Sequence, residues 1–185
     1  MTLDSSKVRV GVTGAVSQGL TTATAPTGTG SALTGFTDLG YVSEDGVVLT
    51  QPDAGDTTPI KAWQNGATVR IIRTLSEDFP SLAFTFLETK LEVIQAYFGV
   101  TVSQTLTEGS FTIDTTQSRT YNSYVVDVVD GAELIRIYVP RGIVTSVGDL
   151  SFTNGDPVGY QVTIDCERNS TLGYNLKTWM TALKS

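Results

Sequence analysis

Histidine is absent from this chain, and cysteine occurs once, at Cys166. Without histidine there is no Ser-His-Asp or Cys-His catalytic arrangement and no His-ligated zinc. One cysteine excludes an intrachain disulfide and a thiolate metal cluster. Charge is scarce as well, at 17% of residues against about 25% in an average soluble domain. Bases are the rarer sign: 12 Lys and Arg face 19 Asp and Glu, the net charge is −7, and no three bases run together. Nucleic-acid binders draw most of their affinity from neutralising phosphates, so this balance argues against tight DNA binding. No apolar run approaches the ~20 residues of a membrane-spanning helix. The opening residues carry an early acid, Asp4, and no apolar centre, unlike a secretory leader.

Small uncharged residues fill the place of the missing charge, with Thr, Ser and 18 Gly prominent. That composition suits strands, turns and surfaces that pack against protein. At 185 residues the chain fits one domain with extensions, burying about 70% of its unfolded surface.

Chemical motifs are few and incomplete. The run Gly28-Thr29-Gly30-Ser31-Ala32-Leu33 begins like a dinucleotide fingerprint, but Leu33 stands where the third glycine belongs. No phosphate-loop lysine is present. Asp53 with Asp56, or Glu44 with Asp45, could approach a cation, yet neither pair has the oxygen-ligand spacing of a calcium loop. These acids, and Glu77-Asp78, read as solvated turn carboxylates. No cofactor is expected, and the chain reads as a non-enzyme.

The elements read mainly as β. Residues 17–36, rich in Gly and Thr with Pro26, are too weakly hydrophobic for a core of their own and read as an extended arm that orders on another surface. On that reading, deleting 17–36 leaves a folded domain that does not assemble. Residues 50–59 form a second long loop with turn residues throughout. Ala67–Leu75, Ser81–Leu87, Gly142–Val147 and Val158–Glu167 read as strands. Glu88–Phe98 is the clearest helix: Leu91, Ile94 and Phe98 recur at helical spacing and Gly99 follows as a stop signal. The β core then spans 67–168, with the helix at 88–98. The tail from Ser170 to Leu183 fits either a helix or an extended segment.

Asp130-Gly131 between two β-rich runs predicts a type I′ hairpin with Val126 opposite Ile135. One face, with Tyr124, Val126 and Ile137, reads as core. The other mixes Val125, Asp127, Arg136 and Tyr138, too polar for a core and too apolar for a solvent face; Asp127 and Arg136 come out as diagonal neighbours. Either an ordinary exposed face or a subunit contact would look like this.

Seven segments, in this order, resemble the major tail (tail tube) proteins of long non-contractile phages, particularly those of actinobacterial hosts. They are Val8–Gly14, Thr24-Ala25-Pro26, Thr37–Val47, Ala62–Gly66, Phe84–Glu88, Tyr97-Phe98-Gly99 and Val139–Leu150. They run through most of the chain, and none is a catalytic signature. The resemblance implies a β-sandwich or small β-barrel with one flanking helix. It implies hexameric rings, joined edge to edge by their sheets and stacked through loops into a tube around a tape-measure protein. Double-stranded DNA later passes through without specific binding; tail terminator and tail-tip proteins complete the tail, and no membrane is involved. The protein would reside in the virion tail after assembly in the host cytoplasm. Thr24, Pro26, Leu39, Tyr41, Asp53, Asp56, Trp63, Asp127, Arg136 and Tyr138 are the candidate subunit contacts. Two alternatives share the β character: a hexameric tube protein of a secretion system and a monomeric β-sandwich binding module.

Overall fold

The computed structural model describes Asp4 and residues 7–74, 78–114 and 116–184. Leu75, at the end of an expected strand, and Glu77, of the expected Glu77-Asp78 turn, lie outside them. The described chain is mainly β, with one α-helix and one large antiparallel sheet.

The first strand, β1 (Thr13–Leu20), pairs along its whole length with β9 (Asn122–Asp130). Its other edge pairs with β2 (Phe36–Asp38) only over Ser17–Gly19. After β3 (Val48–Thr50), a ribbon of β4 (Thr57–Lys61) and β5 (Thr68–Arg73) stands apart from the main sheet. The chain re-enters at β6 (Ser81–Phe86), followed by the helix α1 (Leu91–Phe98). A short ribbon of β7 (Ser103–Gln104) and β8 (Gly109–Ser110) precedes β9. The last strands are the long β10 (Glu133–Val147), β11 (Tyr160–Cys166) and β12 (Lys177–Met180).

Strand β10 serves two layers. Its first half pairs with β9 on one side and β12 on the other; its second half pairs with β11, which pairs with β6 and then β3. The register shifts between Val139 and Gly142, around the buried Pro140. A proline cannot donate to a ladder, so it suits this break. At Gly142 a Cβ would come 2.8 Å from the Tyr124 ring and 2.9 Å from Ile164, so only glycine lets the two layers meet this closely.

The segment 36–50 turns the opposite corner. Leu39 donates its N–H to the Val16 carbonyl of β1, whereas Ser43 donates to Thr85 at the end of β6 and Val42 bridges Phe86. The block Leu39–Gly46 thus joins the two layers around the core. Its Gly40 has φ +88° and lies against the Glu88 carboxylate, which accepts the Tyr41 N–H at 2.8 Å.

Alternation accounts for the inner faces. Leu82, Phe84 and Phe86 of β6 and Tyr160, Val162, Ile164 and Cys166 of β11 point inward; Val16, Tyr124, Val126, Ile137 and Val139 meet them from the other layer. The helix covers one side through Val93 and Tyr97, whose ring meets Tyr160 edge-on at 5.4 Å. It begins at Leu91 rather than Glu88, because Lys90 is extended and Glu88 is engaged with Tyr41 and Lys90. Gly99 ends it in the left-handed conformation with its N–H on Gln95, as expected of a stop glycine.

The β9–β10 hairpin differs from the expected register by two residues. Val126 faces Ile137, and Asp127 lies directly opposite Arg136. The loop is Gly131-Ala132; Gly131 alone has positive φ, at +60°, the pattern of a type II′ turn rather than type I′. A shift by two preserves the faces, so the core face was read correctly although the pairs were not. The ambiguous tail is extended at β12 and ends in a 3-10 turn, Thr181–Leu183.

Candidate assembly surfaces

The segment read as an arm divides in two. Residues 17–20 are the second half of β1 and sit in the sheet. Residues 21–35 fold back over the mixed face of β9 and β10. The expected arm lacks hydrophobic anchors because polar bonds hold it instead. Arg136 donates from Nη1 to the carbonyls of Gly28 (3.0 Å) and Ser31 (2.7 Å), while its Nε and Nη2 bind the two oxygens of Asp127 at 2.6 and 2.7 Å. Such a two-pronged charge-assisted pair is stronger and more directional than a neutral bond. Ser31 Oγ accepts from the Thr27 N–H and donates to Gly28, tightening the same turn. Pro26 is buried, and Phe36 meets Tyr138 edge-on at 6.3 Å.

The candidate contacts therefore occupy different environments. Leu39 and Tyr138 are inside the protomer, at 0% and 1% exposure; Arg136 and Pro26 are buried beneath or within its own loop, and Asp127 is half-buried beside Arg136. The loop supplies the cover that the sequence left open for the mixed face. Thr24, Tyr41, Asp53, Asp56 and Trp63 are exposed; Trp63, at 96%, is nearly bare.

Among the described residues β2, β3 and β12 each pair on one side only, and two free edges bound the layer β1-β9-β10-β12. In β1, Thr13–Ala15 have no partner strand on the side away from β9, where a groove of about 460 Å³ separates them from residues 40–47. The chain before β1 continues this edge: Val12 donates to the Val129 carbonyl, and Val8, Val10 and Val12 are 62–70% exposed. At the other side of the layer, β12 pairs with β10 and no described strand pairs with its other edge. These edges escaped the sequence reading, although the alternation Val8-Arg9-Val10-Gly11-Val12 signals the first.

The ribbon β4–β5 is the third surface. Every residue of both strands is exposed, including Ile60, Val69, Ile71 and Ile72. Residues 57–59, expected in the 50–59 loop, belong to it; Pro59 obscured the strand in the sequence. Its turn closes through Ala67 N–H to Asn65 Oδ1 at 3.0 Å and Gly66 N–H to Ala62, with Gly66 at φ +67°.

Reactive chemistry is not prominent beside these surfaces. Cys166 is fully buried, and burial pushes its thiol up to about 12. No cluster of three potential metal ligands occurs among the described residues. Nor does any described helix have the length and apolarity to cross a membrane.

A closed β core with open edges and one projecting apolar ribbon defines a protein built to associate with others. Comparison with known families agrees: the model of the family described as phage tail tube protein matches residues 1–183, and the chain belongs to that family. No curated protein matches it. It is a structural component of the bacteriophage virion, a major tail protein that self-assembles into the tail tube.

Proposed function

We propose that the protein forms hexameric rings that stack into the tube of a long non-contractile tail, through which double-stranded DNA reaches the host. One observation carries the ring: the layer β1-β9-β10-β12 has four strands alternating in direction, with a free edge at Thr13–Ala15 of β1, beyond the stretch that β2 covers, and another along β12. Strands β1 and β12 therefore run oppositely. Laying β12 of one copy beside β1 of the next continues the antiparallel alternation, and repeating one rotation closes a head-to-tail ring. The edges that would otherwise invite aggregation become the joints.

Assembly takes place in the host cytoplasm around a tape-measure protein, with tail terminator and tail-tip proteins at the ends. An acidic chain suits a conduit, because it repels the DNA backbone that must slide past. The exposed residues Thr24, Tyr41, Asp53, Asp56 and Trp63 are contacts between copies. Pro26, Leu39, Asp127, Arg136 and Tyr138 act by shaping the surfaces above them.

Cysteine cross-linking tests the joint. Val12→Cys combined in one chain with Lys177→Cys, Thr178→Cys or Trp179→Cys is oxidised after assembly. A denaturing-gel ladder ending at six, with single-cysteine controls ending at two, is expected. Absence of cross-links in every pair from polymerised protein rejects β1–β12 pairing; a ladder stopping elsewhere rejects the hexamer.

A further inference from the structure

The two ends of the β10–β11–β6–β3 layer differ in charge, and this polarity identifies a docking pair. At one end, Thr50 and Ser81 pair where β3 ends and β6 begins, and the chain between them carries the ribbon β4–β5. That ribbon contains Lys61, Arg70 and Arg73 and, over residues 57–74, no acid. With the whole chain at −7, the remainder stands at −10. Asp53 and Asp56 lie at the ribbon's root, so Lys61 and Arg70 define its positive far part around Trp63.

At the opposite end of the same strands, the connections are acidic. Glu44 and Asp45 occupy the turn before β3, Asp149 follows β10 and Asp156 precedes β11; all four are exposed. Glu88 and Glu92 follow β6 there, and the base between them, Lys90, is engaged with Glu88 at 2.9 Å.

A two-stranded ribbon has marginal stability alone, and this one exposes five large apolar side chains with no sheet behind them. Its apolar and positive character calls for an apolar and negative receptor. Beside Glu44 and Asp45 lies the exposed Tyr41 at the mouth of the groove against β1. We propose that the ribbon of one copy docks on the acidic Tyr41–Asp45 end of a second copy, giving ring stacking a fixed direction and an electrostatic component. This rests on the tube reading above and adds the partner surface. Opposite charges would guide the encounter, and burial of Trp63 would hold it.

A charge exchange tests it. Lys61→Glu with Arg70→Glu should raise the protein concentration needed for polymerisation about tenfold or more, since like charges then face each other. Adding Glu44→Lys and Asp45→Lys to the same chain should restore polymerisation. Negative-stain microscopy and sedimentation read the result, and circular dichroism verifies that each variant is folded. Folded ribbon variants that polymerise like the parent overturn the proposal. So does a folded four-residue exchange that fails to restore tubes. If the parent itself forms no tubes at any concentration or salt, the tube reading fails, and this proposal with it.

Discussion

Arg136 shows how one side chain replaces a set of hydrophobic anchors. Its guanidinium spans Asp127 on the neighbouring strand and two carbonyls of the 21–35 loop, and only 8% of the side chain is exposed. Removing it would leave Asp127 without its partner, take the Arg136 donor from the Ser31 carbonyl and leave the Gly28 carbonyl to Ser31 alone. Arg136→Ala is expected to cost about 2–4 kcal/mol in urea unfolding and to open residues 21–35 to limited proteolysis. Unchanged stability and protease resistance would show that the loop is held elsewhere. A second expectation concerns alkali. Burial raises Cys166 from 9.0, and Tyr124 from 10.0, to about 12 in each case. Both groups ionise earlier in the unfolded chain, so stability present at neutral pH declines as pH rises from about 9 towards about 12. The urea midpoint should fall across that window, and the native thiol should resist an aromatic disulfide reagent until unfolding. Rapid native labelling at neutral pH would contradict the burial.

Among the elements, the arm and the ribbon exchange their expected parts. Residues 17–36 were expected to be removable, but 17–20 pair with β9 on one side and, over Ser17–Gly19, with β2 on the other; deleting the whole segment removes part of the sheet. The ribbon is the separable element. Replacing residues 57–74 with a short Gly-Ser link should leave thermal unfolding of the protomer within about 2 °C, because the ribbon contributes no residue to the core. The same variant should fail to form long tubes. Loss of folded protomer would mean that the ribbon supports the core, and normal tubes would exclude it from stacking. The difference between the two segments was hard to read from composition. Both lack a continuous apolar face, and only the position of Arg136 reveals that one is covered.

On the scale of the molecule, a closed core and open margins coexist. The segment 36–50 and the bend of β10 turn the two corners, so the inward faces of all the large strands meet around one interior. The four-stranded layer containing β1 and β12 keeps a free edge at Thr13–Ala15 and another along β12. A closed interior lets a protomer fold alone, and open edges let it join. The charge difference between the ribbon and the opposite end gives the molecule a direction, as a stacked tube with distinct ends needs.

Much of this was legible in the residues themselves. Absent histidine, a single cysteine and an acidic balance argued against whole classes of chemistry. Strand composition and alternation identified β6 and β11 as strands, and helical spacing with Gly99 identified α1 and its end. The ordered segments from Val8 to Leu150 pointed to the tail tube family. These signals are local, set by side-chain type and by periods of two or 3.6 residues. Tertiary structure alone decided that Leu39–Gly46 joins two layers, that 21–35 lies on its own protomer, that 57–73 projects and that Thr13–Ala15 and β12 keep a free edge. Each depends on contacts between residues far apart in the chain: Leu39 with Val16, Ser43 with Thr85, and Arg136 with Gly28 and Ser31. A local pattern can say that a segment is extended or weakly apolar, but what covers it is decided only when distant strands come together.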